Sequence, residues 1–237
     1  MEPAEIDEFT ALLRAHLEWE AELGGSGLPS VALDPAAPPT RSSEAKLPPD
    51  RSRLAVLADE AAVCDRCVLH AGRTKSVFSR GSPNAELVFV GEGPGFHEDQ
   101  QGLPFVGPAG ELLDRMIAAM GYRPDDVYVC NVVKCRPPEN RTPNPEEAAA
   151  CAPFLEEQLR IVAPRAIVAL GRCATEGLGL MPPDGRDWRG KLRAYQGVPV
   201  MPTYHPAFLL RSPQFKKQVW EDLKLVLAHL GKPLTRG

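Results

Sequence analysis

Six cysteines and three polar loop motifs are the residues in this chain whose types and spacing could do chemistry. Cys64 and Cys67 form a C-x-x-C pair, and Cys135 and Cys151 stand far downstream with fifteen residues between them. Four thiolates from two distant segments suit either a tetrahedral zinc or an iron–sulfur cluster, because C-x-x-C occurs in both. Such a site ties the start of a domain to a later loop, an architectural role. Cys130 and Cys173 fall in apolar stretches and read as buried core thiols. The loop motifs are GEGPGFHED (91–99), NVVKCRPPENR (131–141) and TYHPAFLLR (203–211). Three glycines in the first leave backbone amides open to a ligand, and the spacing is not that of a dinucleotide-binding loop. Glu92, Glu98 and Asp99 supply carboxylates that can orient a water, Asp99 taken alone reading as a solvated loop acid. Phe105 follows on QGLPFVGPAGELLD and brings an aromatic ring to the same place.

These motifs need elements to hold them, and the chain alternates short apolar strands with longer helical stretches. Four strands are expected over 85–93, 127–133, 165–171 and 198–206, each β-branched or aromatic-rich and bounded by Gly or Pro. Helices are expected over 54–63, 110–121, 145–163, 174–180 and about 214–230. Such alternation makes an α/β fold, a mostly parallel four-stranded sheet with helices on both faces. Ligands bind such sheets outside the carboxyl ends of the strands, and all three polar motifs begin at strand ends. Ahead of this body, Ile6, Phe9, Leu13 and Leu17 recur at helical spacing, so residues 1–22 read as an acidic amphipathic helix that docks on its own domain or recruits a protein partner. Residues 23–50 are rich in Pro, Gly and Ser and read as a disordered linker, leaving 51–237 as the main domain.

Length and composition bound the possibilities. At 237 residues, 43% hydrophobic and 24% charged, the chain has the make-up of an ordinary globular protein, with no run approaching the ~20 apolar residues of a membrane helix. The acidic N-terminus does not resemble a secretory signal, so a cytoplasmic, reducing location is expected. The net charge of -4 hides an asymmetry: residues 1–50 carry -7 and the remainder +3. A mildly basic body with an acidic appendage fits contact with phosphates through a local patch.

GEGPGFHEDQQGLPFVGPAG, NVVKCRPPENRTPNPEE and TYHPAFLLR, in that order and with cysteines at C-x-x-C and C-x15-C, resemble the family-4 uracil-DNA glycosylases, the iron–sulfur branch of the uracil-DNA glycosylase superfamily. The resemblance runs from about 54 to 230 and does not reach the first fifty residues. It implies a three-layer α/β/α sandwich, a [4Fe–4S] cluster on Cys64, Cys67, Cys135 and Cys151, and hydrolysis of the N-glycosidic bond of deoxyuridine in single- or double-stranded DNA, the first step of base excision repair. It also implies roles. Phe105 stacks on the flipped uracil, Asn131 reads its O4/N3 edge, and Glu92 with Gly93 and Pro94 lines the pocket and closes it against the thymine methyl. His205 donates to O2 of the leaving base, and Glu98, held by Asn140, positions the water. Leu209, Leu210 and Arg211 enter the DNA groove, one of the two leucines being open to a core role, while Arg136 and Arg141 contact phosphates or flank the cluster. Three departures stand out: Phe96-His97 replaces acidic residues, Gly93 stands where a related family has an Asp base, and no basic, His-containing insert lies between Asn131 and Cys151, which favours turnover of a monomeric enzyme over covalent crosslinking. The competing expectations are a catalytically silent DNA- or polymerase-associated module, a zinc-ribbon regulator, and a glycosylase for another deaminated base.

Overall fold

The computed structural model describes residues 52–233. The expected N-terminal helix (1–22) and linker (23–50) lie outside the described residues. Six strands form one sheet in the order β1 (Ser79–Gly81), β3 (Tyr128–Asn131), β2 (Leu87–Gly91), β4 (Ala166–Leu170), β6 (Val198–Thr203) and β5 (Arg193–Tyr195). The four expected strands are the parallel centre, with Val88 opposite Tyr128, Gly91 opposite Asn131 and Ile167 opposite Val200. The expectation of four strands is corrected to six, because the antiparallel edges β1 and β5 are only three residues long and carry no apolar alternation. β5 and β6 are joined through Gln196 and Gly197, both at positive φ, the two-residue turn that matches strand twist.

The central strands are buried along their length because both faces are covered. Strand alternation divides their side chains between two cores. Val88, Val90, Tyr128, Cys130, Ile167 and Ala169 face one side and pack with Leu54, Leu57, Phe154 and Leu155 from α1 (Arg53–Ala62) and α4 (Pro145–Val162). Leu87, Phe89, Val129, Val168 and Met201 face the other and pack with Leu113, Ile117, Leu223 and Val226 from α3 (Pro108–Ala119) and α7 (Lys216–Leu230). The result is the three-layer sandwich. Three further short helices, α2 (Phe96–Gln101), α5 (Arg172–Gly177) and α6 (Pro206–Arg211), start directly after loops at the strand ends. The chain passes from β2 outward to β3 and then back across β2 to β4, so the strand order reverses beside β2, where a crevice opens beyond the strand ends.

Candidate active site

A cleft of about 490 Å³ occupies that crevice, lined by the loops after β2, β3 and β6. Glu92, Gly93, Pro94, Glu98, Phe105, Asn131, Asn140, His205 and Arg211 all border it, so three motifs separated by over a hundred residues meet in one place. Asn131 ends β3 in a position that is 1% exposed, and its Oδ1 has no hydrogen-bond partner among the described residues. A buried, unsatisfied carboxamide oxygen costs ~1–3 kcal/mol unless a ligand completes it. Phe105 is buried beside it with φ +56, a left-handed backbone that costs a bulky residue about 1–3 kcal/mol and that concentrates at functional sites. Gly91 makes room for both: a Cβ there would collide with Asn131 Oδ1 and lie 2.5 Å from Phe105 Cζ.

His205 is the N-cap of α6, its Nδ1 accepting from the Ala207 amide at 3.1 Å. An accepting Nδ1 places the proton of the neutral ring on Nε2. Burial drives the imidazole pKa down to about 4, with the Arg211 charge adding to the effect and Glu98 opposing it. His205 therefore stays neutral at ordinary pH and presents one N–H donor, its ring stacked on Phe105 at 5.5 Å between centroids.

Glu98 is held by backbone. Its Oε1 accepts from the amides of Val106 and Gly107, both at 3.0 Å, and Oε2 from Gly95 at 3.1 Å. The expected grip of Asn140 on Glu98 is not formed. Asn140 Oδ1 instead accepts from Arg136 Nε at 2.8 Å, since Arg136 lies four residues earlier in the same loop. Burial raises the Glu92 pKa, Glu176 adds to the rise and a Thr142 hydrogen bond opposes it. Asp99, expected to be a solvated loop acid, is 2% exposed and accepts from the Thr74 amide at 2.8 Å. Arg141 forms a bidentate pair with the buried Glu147 at 2.8 and 2.7 Å, which ties it to the first turn of α4. Leu209 is corrected from DNA contact to core: it is 1% exposed within the α3–α7 face, whereas its neighbour Leu210 is 43% exposed.

On the α1–α4 side of the sheet, Cys64, Cys67, Cys135 and Cys151 line one small pocket together with Ala61, Lys134 and Phe154. None of the six cysteines is in a disulfide. Burial raises the thiol pKa of Cys135 and Cys151, as do neighbouring cysteines, while Arg73 lowers the first and Lys134 the second. Arg73 Nη1 reaches Cys135 Sγ at 3.4 Å and the Cys64 carbonyl at 2.5 Å, joining the C-x-x-C segment to the loop after β3. Among the described residues no group of three or more His, Cys, Asp or Glu is arranged to hold a metal ion. The four cysteines border a common space.

The family model of the uracil DNA glycosylase superfamily matches residues 78–224. The chain belongs to this superfamily. Within the superfamily it groups with the type-4 members. The type-4 uracil-DNA glycosylase of Thermotoga maritima is 42% identical over 76% of this chain and 95% of that protein. Those of Sulfurisphaera tokodaii and Archaeoglobus fulgidus are 40% and 42% identical over 73% and 71% of this chain, and 83% and 89% of their own. In this glycosylase-superfamily chain, sequence reasoning missed Gly91, the Ala207 amide that sets the His205 tautomer, and Lys134, whose Nζ donates to the Asn131 carbonyl at 2.7 Å. A Gly at the last position of a strand signals close approach of another group, so Gly91 was within reach. The other two depend on contacts that no spacing reports.

Proposed function

We propose that the chain is a monofunctional uracil-DNA glycosylase that takes deoxyuridine out of the DNA stack and hydrolyses its N-glycosidic bond, leaving an abasic site for base excision repair. The observation that carries this reading is the pairing, in one cleft, of an unsatisfied Asn131 carboxamide with a neutral His205 whose remaining donor is Nε2–H. Uracil presents acceptor O4, donor N3–H and acceptor O2 in order. Asn131 matches the first two, donating from Nδ2 to O4 and accepting N3–H at Oδ1, while cytosine offers the reverse pattern. Phe105 stacks on the base, and Glu92, Gly93 and Pro94 close the cleft against the thymine methyl.

As the C1′–N1 bond breaks, its electron pair stays with the base and negative charge builds on O2. The His205 Nε2–H donates to that oxygen; one donor of this kind contributes ~3–4 kcal/mol. Glu98, fixed by three amides, accepts a hydrogen bond from the attacking water and orients it towards C1′. The water oxygen bonds to C1′ and its released proton neutralises the uracil anion. Position 93 is a glycine, where a Cβ would lie 2.8 Å from Val133 Cγ2, so no Asp base stands there and Glu98 orients the water. Leu210 fills the space the base leaves, and Arg211 at the cleft edge meets phosphate.

Cys64, Cys67, Cys135 and Cys151 would hold a [4Fe–4S] cluster. Four soft thiolate donors bordering one space are a donor set that suits an iron–sulfur cluster. When bound, that group supplies a structural clamp between the start of the domain and the loop that carries Asn140. A reducing, cytoplasmic location keeps such thiols available as ligands.

The test is incubation with end-labelled DNA carrying one deoxyuridine, single-stranded and opposite G, then alkali and fragment sizing. Strand cleavage at the deoxyuridine, reduced 10²–10³-fold in His205→Ala, is expected. Tight binding of the same DNA with no cleavage by the folded, iron-containing protein would instead establish a silent binding module.

A further inference from the structure

One basic side chain borders the cysteine pocket and also touches the base-reading residue. Lys134 is 1% exposed. Its Nζ donates to the Asn131 carbonyl at 2.7 Å and to Gln158 Oε1 at 2.5 Å. Gln158 is itself fixed, its Nε2 donating to the Phe78 carbonyl at 3.1 Å and to the Tyr128 hydroxyl at 2.9 Å. That arrangement points the amide oxygen at Lys134 and leaves no freedom to rotate. The same lysine lines the pocket of Cys64, Cys67, Cys135 and Cys151.

A buried amine is costly unless its hydrogen bonds are satisfied, and the two oxygens, with the Phe78 ring 5.7 Å away, supply those partners. The main chain of Asn131 is thus held from behind by a side chain that also lines the cysteine pocket, while its unsatisfied Oδ1 faces the cleft in front. We infer that Lys134 is a positioning residue that couples the cysteine site to base recognition by fixing the end of β3 where Asn131 reads uracil. This rests on the reading of Asn131 given above and deepens it.

The experiment is a double-mutant cycle of Lys134→Met and Asn131→Ala, with Lys134→Arg beside it, on the metal-loaded full chain. Excision kinetics are followed together with affinity for undamaged DNA, iron and sulfide content, and the side-chain amide resonances of Asn131. Lys134→Met is expected to lower kcat about 10–100-fold, the scale of a sub-ångström to ångström misplacement, without changing affinity for undamaged DNA. It is expected to shift the Asn131 side-chain resonances and to lower iron and sulfide content. It should add no further loss in the Asn131→Ala background, and Lys134→Arg should restore part of the rate. Wild-type kcat in Lys134→Met, or losses that multiply with those of Asn131→Ala, would overturn the inference. Should Lys134→Met not fold, Gln158→Leu enters the same cycle: non-additive loss upholds the inference and additive loss overturns it. If the wild-type chain excises no uracil, the function proposed above fails separately, and the Asn131 resonances still decide. Movement in Lys134→Met keeps the positioning role, and unmoved resonances remove it.

Discussion

His205 shows how one residue's surroundings select its chemistry. An exposed imidazole titrates near 6.5, and a protonated ring in this cleft would carry a full charge against the nearby Arg211. Burial and that arginine bring the pKa to about 4. The folded state therefore binds the proton less readily than the unfolded chain, and stability is lost as pH falls from about 6.5 towards 4, while nothing changes above that window. The expected outcome is that the His205 ring C–H resonance stays put through pH 6.5 and moves only near pH 4, and that excision shows no inflection attributable to His205 near neutrality. A midpoint near 6.5 would mean a solvated ring. Gly91 is the second residue-scale case. Gly91→Ala puts a methyl group against Asn131 and Phe105, so excision should fall at least tenfold while far-ultraviolet circular dichroism keeps the wild-type helix and strand content.

At the scale of elements, α6 separates two adjacent leucines that look equivalent in the motif. The helix begins at the His205 cap, and its direction from there sends Leu209 into the core with α3 and α7 and leaves Leu210 outside. Leu209→Ala should cost ~2–5 kcal/mol in denaturant unfolding. Leu210→Ala should stay within about 0.5 kcal/mol of wild type and slow excision from duplex DNA more than from single strands, because only a duplex leaves a gap to fill. α4 makes the parallel point about charge. Its Asn144 and Glu147 form a capping box, and Arg141 closes on the same carboxylate. The pair holds the Glu147 pKa below its ordinary value, so the stability it contributes is present above the usual carboxylate range and disappears in acid. Arg141 is thereby an anchor for the loop that borders the cleft rather than a free phosphate contact.

For the whole molecule, the cleft and the cysteine pocket lie at opposite ends of one short stretch, Asn131 to Cys135, which leaves the sheet at β3. On the cluster reading proposed above, losing Cys135 should act first on folding. Cys135→Ala is expected to lower the melting temperature and iron content together, with any remaining folded protein still excising uracil; a stable, metal-free and fully active Cys135→Ala chain would separate the two sites. No helix among the described residues is long and apolar enough to cross a membrane.

The parallel core was readable because strands buried on both faces must be continuously apolar, and runs such as LVFVG and AIVAL can be little else. The edge strands were not, since residues in such short strands gain their hydrogen bonds from a neighbour rather than from a pattern. The candidate site residues Asn131, His205, Phe105 and Glu98 were visible because each carries its chemical group at the end of a strand or in the segment that follows one. Their partners were hidden. That Glu98 is held by amides and not by Asn140, that His205 is neutral with a defined tautomer, and that Lys134 grips Asn131 all depend on which backbone atoms arrive within about 3 Å. Residue types and order along the chain set which groups exist; burial, capping and the direction of each helix after its strand, which are properties of the packed fold, decide what those groups can do.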